Sequence, residues 1–246
     1  MWRTWAVIWM DAFRPFSITH AGVVATFAVV MSLVVLAGQS VHEPRRRARA
    51  EQVAGALVLF VWAAVTAWGL MPGRFDAAES LPLHLCDIAA PIAGLSLLTR
   101  ARSLSAIVYF WGLGLNSQAF ITPLLRAGPA HLVFWTFWGM HFIIVGTAFY
   151  DLFVRGFRPA WKDYGLAVAA AAAYLALVLP INVAFGFNYG YIGDSRPDRA
   201  TVIDLLGPWP WRVIVIATLV CIVMGLLLAP WELGRRLRNR RHRRGP

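Results

Sequence analysis

Apolar residues run through this chain in long stretches separated by short polar ones, at about 20–38, 53–71, 81–99, 104–124, 130–151, 165–186 and 212–230. A hydrocarbon core roughly 30 Å thick takes about 20 helical residues to cross. Alternation of apolar and polar residues at strand period does not recur, which argues against a membrane β-barrel. The pattern predicts an all-α membrane protein, a bundle of about seven transmembrane helices. The first run has no small-residue cleavage site behind it and is followed by more spans, so it reads as a true first helix rather than a signal peptide. The third and fourth runs are less uniform. One carries Pro82, His84, Asp87 and Pro91; the other carries Asn116, Gln118 and Thr122.

Composition supports a lipid-facing surface: 59% of the 246 residues are hydrophobic and only 14% charged, too few charges to cover a soluble domain. The basic residues are distributed unevenly. Arg45, Arg46, Arg47 and Arg49, then Arg100 and Arg102, then Arg155, Arg158 and Lys162, and seven arginines from Arg235 to Arg244 all fall on one side of the predicted bundle. They make up 16 of the 23 Lys and Arg. The positive-inside rule then puts the N-terminus outside and the C-terminus in the cytoplasm of a bacterial inner membrane. The net charge of +11 reads as a topology signal with attraction to anionic lipid head groups, and no nucleic-acid partner is expected. The chain divides into an interfacial amphipathic segment (1–19), a seven-helix domain (20–231) and a basic cytoplasmic tail (232–246).

In the first segment Trp2, Trp5, Trp9 and Phe13 share one helical face and are expected to lie in the membrane interface. The longest loop, about 187–211, holds Asn188-Tyr189-Gly190-Tyr191, a mixed-charge stretch from Asp194 to Asp204, and Gly207-Pro208-Trp209-Pro210-Trp211. It is either a cap over a site or an interfacial turn into the last helix.

Ionisable groups inside a span cost about 2.5–3.5 kcal/mol at its centre on insertion scales, and so call for a partner, water or a function. His84, Asp87 and His141 are such groups, with His20 at the outer edge of the first span and the thiol of Cys86 between His84 and Asp87. His84 and Asp87 are three apart, so an Asp–imidazole hydrogen bond within the helix is expected. Gln118 and Thr122, four apart, and Asn182 beyond Pro180 fall in the outer halves of their spans. All these groups are expected to converge on one outward-opening cavity. A base for Cys86 would come from another helix, with His141 or His20 as candidates. Cys86 and Cys221 are too few for a disulfide framework and are expected as free thiols. Four readings remain open from the residues: a histidine-activated thiol nucleophile, a transport or small-ligand site, a transition-metal site, and a network that only fixes packing.

Leu81-Pro82-Leu83-His84-Leu85-Cys86-Asp87 resembles the signature of the YwaF-like bacterial integral membrane family. Tyr109-Phe110-Trp111-Gly112 with Gln118 and Thr122-Pro123, then His141, Asn182 with Asn188-Tyr189, and Leu206-Gly207-Pro208-Trp209-Pro210-Trp211 continue the likeness in order, from about His20 to the last helix. That family looks related to the eukaryotic transmembrane protein 164 group, whose members are implicated in cysteine-dependent acyl transfer to lyso-ether phospholipids. The group is distantly similar to the androgen-induced-protein hydrolases. The resemblance implies an intramembrane lipid-modifying enzyme, with Cys86 as nucleophile, His141 as base and His84 and Asp87 in support. His20, Gln118, Thr122, Asn182, Asn188 and Tyr189 are expected around the substrate. Weight passes from the metal reading to the nucleophile, and neither metal nor cofactor is expected.

Overall fold

The computed structural model describes residues 9–194 and 202–244. Among them seven α-helices follow one another: α1 (Ile18–Ser40), α2 (Pro44–Gly69), α3 (Leu85–Thr99), α4 (Arg102–Trp111), α5 (Leu132–Phe153), α6 (Trp161–Phe185) and α7 (Trp211–Arg244). Five of them, α1, α2, α5, α6 and α7, are long and apolar enough to cross a membrane. The protein is a multi-pass, all-helical membrane protein. Strand pairing is confined, among the described residues, to an isolated bridge between Ala12 and Ala127.

Local chemistry sets the helix ends. Ser17 caps α1 by accepting the His20 N–H at 3.2 Å. α2 starts well before the apolar run, because Pro44 occupies its first turn and the arginines that follow are good helix formers. α3 starts at Leu85 rather than 81. Pro82 disfavours helical geometry at Leu81, whose N–H is instead bound by the Tyr189 hydroxyl at 3.1 Å. The fourth run is not one regular helix. After Trp111 the chain continues as a π-type stretch, Gly112–Asn116, and a 3₁₀ stretch, Ser117–Phe120, where two glycines and an asparagine weaken regular α-geometry.

The connections 41–43, 100–101 and 154–160, with the arginines in or beside them, gather at one end of the bundle with the last turns of α7. Arg155, two residues past α5, is the hub there. It donates to Asp151 Oδ1 and Glu51 Oε2, each at 2.9 Å, and to the carbonyls of Ser96 and Leu97. Glu51 also receives the Tyr150 hydroxyl and Arg100. Burial alone would lower the Arg155 guanidinium, but Glu51 and Asp151 outweigh it and hold it above its ordinary range. Beside this clamp, Arg102 grips Asp163 through two nitrogens. Above it α2 and α3 meet at backbone distance. A Cβ on Gly55 would stand 2.6 Å from the Gly94 carbonyl oxygen and 2.7 Å from Leu98 N, so only glycine permits that approach.

In the N-terminal segment Phe13 does not share the face of Trp9. Trp2 and Trp5 lie outside the described residues. Trp9 is exposed, but Phe13 is buried because Phe13 N–H donates to Arg126 O and Gly128 N–H to Asp11 O. This strand-like pairing turns Phe13 inward, away from the face it would share with Trp9 on a continuous helix.

Candidate functional site

His84, Cys86 and Asp87 stand at the first turn of α3, at the end of the bundle remote from the arginines. His84 is the N-cap and Asp87 the third helical residue. The Asp87 Oδ2 accepts the His84 backbone N–H at 3.1 Å. The expected Asp–imidazole bond is therefore replaced by a backbone bond, because a carboxylate at this position reaches back to the free N–H at the helix start. The half-buried thiol of Cys86 points at the other carboxylate oxygen, Oδ1, at 4.0 Å. The indole of Trp62 donates to the Asp87 carbonyl at 2.8 Å.

The loop after α6 closes over this turn. Tyr189 and Tyr191 pack on the His84 ring at 4.9 and 5.8 Å. Gly190 N–H approaches His84 Nδ1 at 3.5 Å. Gly190 itself has a positive φ of 64° and lies against the Tyr174 hydroxyl, so a side chain there is excluded on both counts. That hydroxyl donates to Leu83 O at 2.8 Å. Burial pushes the phenols of Tyr189 and Tyr191 above their ordinary range, and the charge of a Cys86 thiolate acts on Tyr191 in the same direction. Both remain neutral donors at physiological pH.

The expected substrate residues divide by role. Asn182 brackets the backbone of Tyr189, donating to its carbonyl at 2.8 Å and accepting its N–H at 3.0 Å. The Asn188 Oδ1 accepts Gly193 N–H at 3.0 Å. The Tyr189 hydroxyl donates to Ala77 O at 2.6 Å. These three shape the cap through the backbone. Gln118 is exposed, and Thr122 follows it in an irregular turn, with its N–H on the Gln118 carbonyl.

His141 is buried in α5, with Nδ1 2.7 Å from the Phe137 carbonyl. A carbonyl only accepts, so Nδ1 carries the hydrogen and Nε2 the lone pair. α3 and α5 run in the same direction, and Ser96 Oγ meets Asp151 Oδ2 at 3.4 Å. Ten residues back along each helix, about 15 Å, stand Cys86 and His141, at the same depth. Their side chains leave on different flanks. Cys86 packs into the core that includes Trp111 and Tyr174, whereas the His141 ring lies on Phe137 at 4.3 Å, and no hydrogen bond joins it to the thiol. His20 lies farther off, among Phe13, Phe16 and Trp138. Cys86 and His141 thus have separate packing partners, and no polar contact among the described residues links the His84–Cys86–Asp87 turn to His141 or His20. Among the described residues no three His, Cys, Asp or Glu side chains gather as metal ligands would. A groove of about 240 Å³, lined by Trp161, Leu228 and Leu233 with Glu232 and Arg236, lies at the arginine-rich end, across the bundle from Cys86. Cys221 is free, as is Cys86.

Three groups important to this arrangement carry no signal in the motifs. Glu51 and Asp151 are one pair, and Arg212 is the third. Arg212, buried at the start of α7, donates to Asp204 and to the carbonyl of Gly193, tying the cap loop to α7. Arg212→Met should loosen that tie. The expected result is an increase of about tenfold in the rate at which a membrane-impermeant maleimide reaches Cys86, the scale of one charged hydrogen bond. An unchanged rate would show that the loop does not control access.

A bundle of apolar helices with a thiol, a carboxylate and an imidazole at one helix start defines a membrane protein with a polar site near one face. The TMEM164 family model matches residues 15–228, and the chain belongs to that family. The N-terminal tryptophans and the arginine-rich tail fall outside the match. No curated protein and no solved structure matches the chain.

Proposed function

We propose that this chain is a lipid-modifying enzyme of a bacterial inner membrane, transferring acyl groups through Cys86. In this reading all seven helical segments cross the bilayer, the N-terminus is outside, and the arginine-rich end meets anionic head groups in the cytoplasm. The observation that carries the proposal is the thiol of Cys86 in the first turn of α3, directed at Asp87 Oδ1 beneath the tyrosine cap. Support also comes from the helix dipole, which favours negative charge at this turn.

In the first step the thiol proton passes to Asp87 as Sγ attacks an ester carbonyl. The tetrahedral oxyanion collapses, the bond to the glycerol oxygen breaks, and that oxygen takes the proton from Asp87. A thioester on Cys86 and a lysolipid result. In the second step a lysolipid hydroxyl or water gives its proton to Asp87 and attacks the thioester; the C–S bond breaks and the sulfur takes that proton from Asp87, restoring the thiol and the carboxylate. Gly190 N–H on Nδ1 assigns the His84 hydrogen to Nε2, making His84 a donor suited to the oxyanion. Asp87, rather than His141, is the base this geometry favours.

The test is covalent capture. Protein incubated with a phospholipid carrying a radiolabelled acyl chain should acquire one hydroxylamine-sensitive label, mapped by mass spectrometry to Cys86 and absent from Cys86→Ala, with Cys221 unlabelled. A label that persists in Cys86→Ala, or lipid turnover unchanged by that substitution, ends the nucleophile reading. Substrate-dependent access from both faces with Cys86→Ala fully active would point to a transporter instead.

A further inference from the structure

Two buried nitrogens that this mechanism does not use lie together on the other flank of α5. His20 opens α1, and its Nδ1 accepts the backbone N–H of Phe16 at 3.0 Å. The neutral ring therefore carries its hydrogen on Nε2. That Nε2 is buried with no hydrogen-bond partner, and so is the indole Nε1 of Trp138. The two side chains are 5% and 3% exposed, with ring centroids 5.8 Å apart and planes inclined by 31°. Both nitrogens are donors, so they cannot satisfy each other. A buried donor left without an acceptor costs about 1–3 kcal/mol, which makes two adjacent ones an unusual feature of a folded chain.

Their surroundings narrow the choice of acceptor. Phe13 stands edge-on to both rings, at 5.6 and 5.8 Å, and Phe120, Phe134 and Phe142 flank Trp138. The rings packed around the two donors present carbon. A resident water needs two to four polar partners and must donate as well as accept. An ester or phosphate oxygen only accepts, and its acyl chain suits an aromatic wall. Trp138 is six residues into α5, about 9 Å along the helix, and His20 lies in the first turn of α1. With α1 and α5 crossing the bilayer, both side chains stand toward one end of their spans, where lipid oxygens meet the hydrocarbon. The neighbouring Ile18 and Phe16 are 94% and 78% exposed, so the bilayer reaches this edge of the protein directly.

We infer that His20 Nε2 and Trp138 Nε1 donate to an oxygen of a bound phospholipid, at a site separate from Cys86. The full chain, delipidated in detergent and titrated with dioleoyl phosphatidylglycerol, should bind one lipid tightly by native mass spectrometry. Trp138→Phe keeps the ring and removes the donor; it and His20→Phe should each weaken that binding about tenfold, while Cys86→Ala keeps it. The dialkyl ether analogue identifies the oxygen. Loss of tight binding assigns an ester carbonyl, and retention assigns the phosphate; both support the site. A second readout needs no variant: the ¹⁵N–¹H signal of the Trp138 indole should move on lipid addition. Binding unaltered in both donor variants, or an indole signal that does not move, overturns the inference and leaves two unpaired donors or a trapped water.

Discussion

Arg155→Met is expected to lower stability by about 3–5 kcal/mol, because it leaves buried Asp151 without the cation it pairs with and Glu51 with only the half-exposed Arg100. Glu51 and Asp151 are 3% and 0% exposed, and each has one of its 2.9 Å contacts from the guanidinium. Methionine fills much of the space but donates nothing, and the Ser96 and Leu97 carbonyls lose their donor as well. The measurement is the apparent melting temperature of purified protein in detergent. Combining Arg155→Met with Glu51→Gln and Asp151→Asn should recover much of the loss, since the stranded charges are then gone. Arg102→Met is the internal comparison. Arg102 is 48% exposed in its pair with Asp163, so solvent screens that pair and the expected loss is smaller. Equal melting of Arg155→Met and the parent would show that the cluster contributes no net stability.

The same clamp has a consequence at the opposite end. It joins α2, α3 and α5, and the Ser96–Asp151 contact sets the axial register of α3 against α5. That register is what brings Cys86 level with His141.

Apolar length made the helices legible. The run at 20–38 became Ile18–Ser40, and that at 130–151 became Leu132–Phe153. Departures occur where a rule other than apolarity sets the boundary. Arginines extend α2 and α7 beyond their apolar runs, because a charged residue that leaves the hydrocarbon is still a good helix former. Pro82 delays α3, and Gly112, Gly114 and Asn116 interrupt the fourth run. At the site, the spacing of His84 and Asp87 announced a contact but not its atoms, since the competitor for the carboxylate is a backbone N–H that no side-chain pattern displays. Glu51 and Asp151 were hidden by their position at the polar ends of spans, where acidic residues among arginines read as surface charge. The i,i+4 spacing of Asp151 and Arg155 was the available signal. The separation of His141 from Cys86 depends on helix rotation, which the apolar pattern of a lipid-facing helix fixes only loosely. Its polar residues face protein, but one helix has several protein neighbours.

That separation makes the identity of the base the most informative chemical question. Asp87→Asn is expected to reduce thioester formation about 10²–10⁴-fold, the usual contribution of a positioned base, with little change in stability. Asparagine retains an oxygen that can accept the His84 N–H at the start of α3, so the cap survives while the proton acceptor is lost. Single-turnover acylation of Cys86, followed beside the melting temperature of the same preparation, separates the two effects. His141→Phe should have the milder effect on acylation, because its Nδ1–H serves the Phe137 carbonyl and its ring packs on Phe137. Should acylation survive in Asp87→Asn and vanish in a folded His141→Phe, the proton goes to His141. Reaction would then require the two flanks of the α3–α5 interface to turn toward each other. Should both variants lose acylation equally while remaining folded, Asp87 and His141 act as one relay, with the carboxylate nearest the thiol and the imidazole lone pair on Nε2 completing it.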